Sequence, residues 1–402
     1  MPSKNRPSVR LPRLIIRRNN ALYNLARLMM SPLAKIIDKL TKVKNVGFYN
    51  AVARDVDYDP SSFMDRLKKM SEYGASFTVD IDFLKLGLLE YVVFVPDKIL
   101  NFEELPETRS WIRSITATYS PKGTLLTFSV PYDFRNELSS EITGSIEKIT
   151  GQKTYSFFIL PRRKQPSLTK YPFEKHPLLI GYKYSQLEEI FNESVPDDYI
   201  EKFLYGVENL NKVVRNTQDM VDLLIVGELE IDAFSGLWNA IKAYNIRYRK
   251  ARKHLKEHVI KHGIIRGIYM KAGLFVRALG HPLVLLLVVR GKDMLFKWHY
   301  FLDRLENTMY LGYEPFRRRK LGIYAILYES LDGLESLKHF LVVSLKEGYL
   351  EDFLAIKYLP HALAKFTIPF KNYYQDAKRW DLDIGKTHAL FERRFLKRRT
   401  AI

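Results

Sequence analysis

The same order of predicted helices and strands occurs twice along the chain. In the second half, apolar periodicity predicts three helices, at 219–231, 233–244 and 247–262. A short strand follows Gly263, and a strand–helix–strand–strand–helix–strand series then runs from Pro282 to Leu359. The first half follows the same order between Leu22 and Pro161. A repeat of this length predicts two tandem modules in place of one large domain.

Each part of the repeat corresponds to a known arrangement of elements. Three helices followed by an alternating segment predict a helix-turn-helix with a wing. The β-α-β-β-α-β series is typical of a ferredoxin-like α/β sandwich. We therefore predict an α+β protein with two tandem modules, each a winged helix-turn-helix followed by a ferredoxin-like domain, and with basic terminal extensions.

Domain boundaries follow from where these patterns begin and end. The segment 166–218 is too apolar for a flexible linker and contains helical pieces of its own. In the first ferredoxin-like domain, a short helix is predicted near Phe102 to Arg109. The predicted units are a basic N-terminal arm (1–30), winged helix 1 (31–88), ferredoxin-like domain 1 (89–165), a helical connector (166–218), winged helix 2 (219–280), ferredoxin-like domain 2 (281–360) and a basic C-terminal extension (361–402).

Composition limits the compartment and the partners. Lysine and arginine outnumber aspartate and glutamate by 64 to 45, giving a formal charge of +19, which favours phosphate polymers or anionic membranes as partners. The longest apolar run, Leu283 to Val289, is far shorter than the roughly 20 residues of a membrane helix. The N-terminus lacks a signal-peptide pattern, which predicts a cytoplasmic protein without a membrane partner. The scarcity of glutamine and the absence of cysteine indicate a thermophilic archaeal source. The absence of cysteine also excludes thiolate chemistry.

The third helix of the second module is the strongest candidate for phosphate contact, because its first turns would meet bases or backbone. A solvated helix face is the alternative. The corresponding helix of the first module is preceded by Asp57 and Asp59 and carries Asp65, so it would repel phosphate and is predicted to be structural or to dock on protein. The candidate nucleic-acid-binding residues of the basic helix and its wing are Arg247, Arg249, Lys250, Arg252, Lys253, Lys256 and Arg266.

Further cation clusters lie outside that helix. They put much of the charge excess on extensions and turns, which favours a large phosphate-rich surface read by shape over a short operator read by bases. Each cluster could instead only solvate its loop. The additional candidates are Arg10, Arg13, Arg17 and Arg18 in the N-terminal arm, Arg317, Arg318 and Arg319 in a hairpin turn, and Arg393, Arg394, Lys397, Arg398 and Arg399 near the C-terminus.

The chain contains few sequence motifs that indicate catalysis or metal binding, and each of them is short. His254, His258 and His262 share one helical face, and with Glu257 they include the short pattern HxxEH. The flanking lysines and arginines oppose a bound cation, so we predict a polar or phosphate-facing histidine stripe and no metal ligands. No serine triad, nucleotide loop or other catalytic set is recognisable. The sequence therefore predicts a protein without catalytic residues, cofactor or enzymatic activity.

One segment resembles a known family. Residues 221–233, 248–256 and 263–267 resemble the DNA-binding part of the Lrp/AsnC regulators in their Asp232-Ala233 dipeptide, basic third helix and Gly263-Ile264 wing entry. The resemblance implies a DNA-binding winged helix and a β-α-β-β-α-β domain for oligomerisation and effector binding. Family members carry one module per chain and pair as dimers, whereas this chain carries two.

Two functions are compatible with these features. The first is a ribosome-associated factor that binds small-subunit rRNA, promotes dimerisation or hibernation and restrains translation, since the overall build resembles an archaeal ribosome dimerisation or hibernation factor. The alternative is an Lrp/AsnC-like transcription regulator that binds promoter DNA. Charged arms favour RNA, and the second helix-turn-helix favours DNA. In both cases a homodimer through the ferredoxin-like domains is expected, and ligand binding by those domains stays open.

Overall fold

The protein is a mixed α/β structure with a large antiparallel sheet. The computed structural model describes residues 32–43, 45–72, 76–163, 181–208, 219–271, 281–314, 320–358, 364–374 and 379–382. Within these residues, none of the helices is both long and apolar enough to cross a membrane.

The first half begins with three helices and continues into strands. Between β2 and β3, the short helix predicted near Phe102 to Arg109 is present as two separate turns of 3-10 helix, at Phe102–Glu104 and Glu107–Trp111. Pro106 separates the two turns, and the residue before a proline is disfavoured in a helix. The elements are α1 (Pro32–Leu40), α2 (Tyr49–Asp55), α3 (Pro60–Glu72), β1 (Ser76–Ile81), β2 (Leu88–Pro96), β3 (Ile112–Ser120), β4 (Lys122–Pro131), α4 (Arg135–Thr150) and β5 (Tyr155–Arg163).

The second half repeats much of this order after two connecting helices. Its third helix changes from α-helical to π-helical hydrogen bonding at His254. The elements are α5 (Tyr184–Asn192), α6 (Asp197–Glu208), α7 (Met220–Ile231), α8 (Gly236–Tyr244), α9 (Tyr248–Lys253), the π segment (His254–Ile260), β6 (Ile265–Lys271), β7 (His281–Arg290), α10 (Gly291–Arg304), β8 (Thr308–Tyr313), β9 (Lys320–Glu329), α11 (Leu331–Lys346), β10 (Asp352–Tyr358), β11 (Ala364–Lys365), β12 (Tyr373–Tyr374) and β13 (Arg379–Trp380).

Within the described part of the chain, nine strands form one sheet in the order β10-β7-β9-β8-β5-β2-β4-β3-β11. Strands of the two halves meet at β5 and β8, where Leu160 pairs with Tyr313. They meet again where β10 pairs with β3, so eight of these described strands close into a ring. In each half the strands follow the order fourth, first, third, second. The ring thus consists of two similar four-stranded halves that are joined at both edges.

The ring encloses an apolar interior and carries helices on its outside. Alternate side chains such as Val92, Phe94 and Leu286 face inward and form one cluster. The intervening residues Val93 and Leu285 pack outward, into separate clusters with the helices. Because both faces of these strands are covered, β2 and β7 are near-continuous apolar runs in the sequence.

Helices from the two halves share one core. The first-half residues Val52 and Phe63 lie in the same cluster as Leu229 and Leu255 of the second half. The strand after each helical group also pairs across the halves, since β1 and β6 run antiparallel from Ser76–Lys271 to Ile81–Ile265. The two helical groups are therefore one packed unit.

Part of the predicted basic C-terminal extension is packed against the rest of the chain. β11 pairs with β3, and Trp380 is buried with its indole N–H donating to the Leu86 carbonyl at 2.8 Å. Thr367 is buried and hydrogen-bonds to α7. Residues 364–382, as far as the structure describes them, thus belong to the core and do not form a free arm.

Candidate functional site

A polar cavity of about 140 Å³ lies at one end of the ring interior. Strands of both halves contribute to it, and β1 closes one side with Asp80 and Ile81. The inward-facing cluster described above is mainly apolar, so the polar lining at this end is distinctive. The lining side chains that bear on its chemistry are Glu90, Arg113, Arg163, Tyr310, Tyr324 and Lys365.

Glu90 is a buried carboxylic acid on the inner face of β2. Strand alternation places it on the same face as Val92 and Phe94. The hydroxyl of Tyr310 donates a hydrogen bond to its carboxylate. Burial raises the pKa of Glu90, although the Tyr310 hydrogen bond and the charge of Arg113 act in the opposite direction. Glu90 therefore keeps its proton to a higher pH than an exposed glutamate.

Arg113 and Glu230 form a buried ion pair beside the cavity. Arg113 donates through Nη1 to Glu230 Oε2 at 2.8 Å and through Nη2 to the other carboxylate oxygen. Both side chains are less than a tenth exposed. Burial alone would raise the pKa of Glu230, but the charge and hydrogen bonds of Arg113 lower it to about 2. Glu230 is thus a fixed anion that neutralises Arg113.

A second cavity of about 180 Å³ adjoins the first on the other side of Glu230. Thr367 donates to Glu230 Oε2 at 3.1 Å, and Thr78 donates to the Glu230 carbonyl at 2.7 Å. Arg163 and Lys365 line both cavities. The guanidinium carbon of Arg163 lies 5.8 Å from the centre of the Tyr310 ring. Because Tyr310 donates a hydrogen bond to Glu90, Arg163 is close to Glu90 as well as to both cavities.

The linings of both cavities contain cations of a kind that can bind an anionic ligand. Glu230 pairs with Arg113, and Glu90 accepts a hydrogen bond from Tyr310. Among the described lining residues, the remaining acid is Asp80, which pairs with Arg266 of the wing at 2.8 Å. Arg163 and Lys365 are the cations that line both cavities, and their charges also act on Glu230. A guanidinium can hold a carboxylate or phosphate by two parallel hydrogen bonds.

The cations of the predicted basic helix lie on the surface and do not line either cavity. Arg247, Arg249, Lys250, Arg252, Lys253 and Lys256 are exposed on α9 and its flanks. Arg266 instead lies in β6, where it pairs with Asp80 and donates to the Ile81 carbonyl at 3.2 Å. The other predicted cations lie outside the described residues: Arg10, Arg13, Arg17, Arg18, Arg317, Arg318, Arg319, Arg393, Arg394, Lys397, Arg398 and Arg399.

The histidines of the third helix meet two aspartates of α7 and its N-cap. His254 Nδ1 lies 2.9 Å from Asp222 Oδ1 and 3.3 Å from Asp219 Oδ1, and His258 Nδ1 lies 3.1 Å from Asp222 Oδ2. His254 is buried against these aspartates, so this residue of the predicted stripe makes polar contacts and does not face a phosphate. His262 is exposed beyond the cluster.

Sequence patterns did not reveal the residues that line the cavity. One signal was available: Glu90 interrupts the apolar run of β2, and a lone carboxylate in a strand buried on both faces needs a partner or a proton. Arg113, Glu230 and Tyr310 carry no local signal. They are 23, 140 and 220 residues from Glu90, and only the closed ring brings them together.

Comparison with known proteins gives two structural likenesses. No family model and no curated protein matches the chain. A crystal structure of the siroheme decarboxylase NirDL matches with a TM-score of 0.47 and 11% identity, covering 83% of this chain and 93% of that one. A structure of the same decarboxylase with an iron-uroporphyrin III analogue matches with a TM-score of 0.42 and 11% identity, covering 88% and 94%.

These findings correct the predicted function. The matched structures are those of an enzyme, against the predictions of a non-enzymatic protein and of an RNA-binding, ribosome-associated or DNA-binding regulator, which are therefore wrong. The resemblance to a ribosome dimerisation or hibernation factor is wrong as well. The physical reason is that net charge does not distinguish a phosphate polymer from a small acidic ligand.

Proposed function

We propose that this protein is an enzyme that binds a carboxylate-bearing small molecule at the cavity and uses Glu90 as its general acid. The observation that carries the proposal is a buried Glu90 that accepts a hydrogen bond from Tyr310 beside Arg113 and Arg163, and whose pKa is raised by burial. Clefts that combine a perturbed acid with specific charge partners are typical of active sites.

Anion binding is assigned to the cations that both cavities share. Both terminal nitrogens of Arg113 donate hydrogen bonds to Glu230. Arg113 therefore contributes its positive charge to the cavity but does not bind the ligand through a pair of hydrogen bonds. Arg163 and Lys365 lie on the side where the two cavities meet. A ligand carboxylate between them would accept hydrogen bonds from both cations, while the rest of the ligand would extend into either cavity.

Proton transfer is assigned to Glu90. Its hydrogen bond from Tyr310 fixes one carboxyl oxygen, Oε2, and the other oxygen would carry the proton. An acid whose pKa is raised toward the working pH donates a proton efficiently and recovers it from solvent. Glu90 would thus protonate another atom of a ligand whose carboxylate Arg163 and Lys365 hold.

Binding is tested by calorimetry with mono-, di- and polycarboxylates. Iron-uroporphyrin III is included among the polycarboxylates because one of the matched structures is a complex with an analogue of it. Arg163→Met should weaken binding about 10-fold or more, since a charged hydrogen bond contributes roughly 1.5–3 kcal/mol. The matched control is Arg162→Met, which removes the exposed neighbouring cation and should leave affinity unchanged. Equal effects of both variants, or no binding of any probe, would contradict the proposal.

Catalysis is tested with Glu90→Gln, which keeps the shape and hydrogen-bond capacity of the side chain. The variant should bind the ligand with similar affinity but lose about 100-fold or more in turnover, the usual contribution of a general acid. Product formation would be followed by mass spectrometry. Full turnover by the variant would remove Glu90 from the mechanism.

We also propose that the architecture is the tandem arrangement of two winged-helix and ferredoxin-like modules. The repeated strand order and the three helices before β1 and before β6 support it. The expected homodimer through the ferredoxin-like domains stays a prediction. An experimental structure with a different strand order in either half would contradict the tandem arrangement.

A further inference from the structure

Four side chains of metal-ligand type meet in the second helical group, away from the cavity. Asp219 caps α7 and Asp222 lies in its first turn, while His254 and His258 lie four residues apart in the π segment. One potential ligand atom from each of the four lies within 4.8 Å of every other. The two helices thus present two oxygens and two nitrogens to one point.

The separations are close to those of a tetrahedral site. Zinc binds imidazole nitrogen and carboxylate oxygen at about 2.0–2.2 Å, which places neighbouring ligand atoms about 3.3–3.6 Å apart. Three of the contacts measured here, from His254 and His258 to the aspartates, lie between 2.9 and 3.3 Å. Small side-chain movements would open the centre for an ion.

We propose that Asp219, Asp222, His254 and His258 bind one zinc ion. Without an ion, the Nδ1 atoms of both histidines lie at hydrogen-bond distance from the carboxylate oxygens of Asp222. A divalent cation would replace these hydrogen bonds and satisfy both carboxylates at once. Nitrogen and oxygen ligands of this mixture suit zinc better than magnesium or calcium, which prefer oxygen.

The electrostatic surroundings admit a cation. Asp222 is fully buried, and the two carboxylates together balance the charge of the ion. The cations Arg252, Lys253 and Lys256 of the same helix are exposed, so water and salt screen their repulsion. Tyr373 is a buried neighbour, and burial together with the charges of both aspartates raises its pKa to about 12.

The π segment is a second and independent indication of a special site. Seven consecutive residues, His254 to Ile260, follow π-helical hydrogen bonding. Such segments are rare in α-helices and occur often at functional sites, because they re-aim side chains at a cost in backbone stability. Here the segment includes both histidines and no proline or glycine that would explain it.

A zinc ion at this position would tie the third helix to α7. The opposite end of α7 carries Glu230, the partner of Arg113 at the cavity. The ion would therefore hold in place the helix that supplies the cavity with its fixed anion. This role does not depend on the reaction proposed for the cavity, and metal content reports on it directly.

The test uses the full chain, stripped with a chelator and then titrated with zinc and separately with cobalt. We expect one zinc per chain after dialysis and cobalt absorption bands typical of tetrahedral coordination. His258→Gln should lower zinc affinity at least about 10-fold, because loss even of a residue that only supports a ligand lowers metal affinity by about 10–100-fold. His262→Gln is the matched control, since it removes an exposed histidine of the same stripe.

A second variant guards against misfolding. Asp219→Asn keeps a residue that caps helices well but removes the charged ligand, and circular dichroism would verify its fold. It too should lose zinc. The proposal is overturned if the native chain retains no stoichiometric zinc, if His258→Gln and Asp219→Asn bind zinc as the native chain does, or if His262→Gln abolishes binding equally.

Discussion

At the scale of single residues, neighbours decide what each buried carboxyl group does. Glu230 stays ionised because Arg113 donates two hydrogen bonds to it. Glu90 and Glu329 are buried as well, yet burial dominates and the pKa of each is raised. Glu230 therefore binds a proton more weakly than Glu90 and Glu329, because Arg113 pairs with it and burial dominates at the other two.

The ion pair gives a prediction on stability. Arg113→Met should lower the free energy of unfolding by about 3–5 kcal/mol, because it leaves the Glu230 carboxylate buried without its partner. Urea denaturation measures the loss. The double variant Arg113→Met with Glu230→Leu should recover much of it, since no buried charge remains. A double variant that is less stable than the single one would contradict this explanation.

Glu329 gives a prediction on pH. Burial raises the pKa of Glu329 from 4.5 to about 8, so between these values the folded state holds a proton that the unfolded state has lost. Stability should therefore fall as pH rises through this window, by at most about 1.4 kcal/mol per pH unit. Glu329→Gln should remove that part of the decline in denaturation curves measured at about pH 5, 6.5 and 8, the span between the two pKa values. An unchanged slope in the variant would exclude Glu329 as its source.

At the scale of elements, local patterns and close packing act together. The apolar runs of β2 and β7 and the periodic helices α7 and α11 lie where the sequence predicts them. The predicted helix between β2 and β3 forms as two turns of 3-10 helix, because Pro106 divides a short segment. Single glycines also set how closely elements approach, which no periodicity reveals.

Gly267 gives a prediction at this scale. A Cβ at this position of β6 would overlap the carbonyl oxygen of Thr41, which follows α1. Gly267→Ala should push α1 and β6 apart and destabilise the protein by about 1–3 kcal/mol. The control is Gly144→Ala in α4, where an added Cβ meets nothing within 4 Å and helix propensity predicts a gain of about 0.5–1 kcal/mol. Thermal denaturation of both variants checks the opposite signs.

At the scale of the whole molecule, the two halves are interlocked. Their strands form one ring, and Phe63 and Leu255 lie in one core. Neither half could keep its packing after the other unfolded. We expect a single unfolding transition, with coincident curves from far-UV circular dichroism and from tryptophan fluorescence. The tryptophans suit this test because Trp111 and Trp298 are buried in different halves.

Two separated midpoints in that experiment would show that the halves unfold independently. The same result would argue against the cavity as one unit, since Glu90 and Tyr310 come from different halves and meet only in the ring.

The sequence by itself determined the kind and order of most elements, because hydrophobic periodicity is a local property that survives without knowledge of neighbours. The sequence also revealed the excess of positive charge, but it did not indicate which kind of ligand that charge binds. Only the tertiary structure decided the closed ring, the pairing of Arg113 with Glu230, and the meeting of Asp222 with His254 and His258. These contacts join residues that are 117, 32 and 36 positions apart, and chain geometry, not local preference, determines which side chains meet.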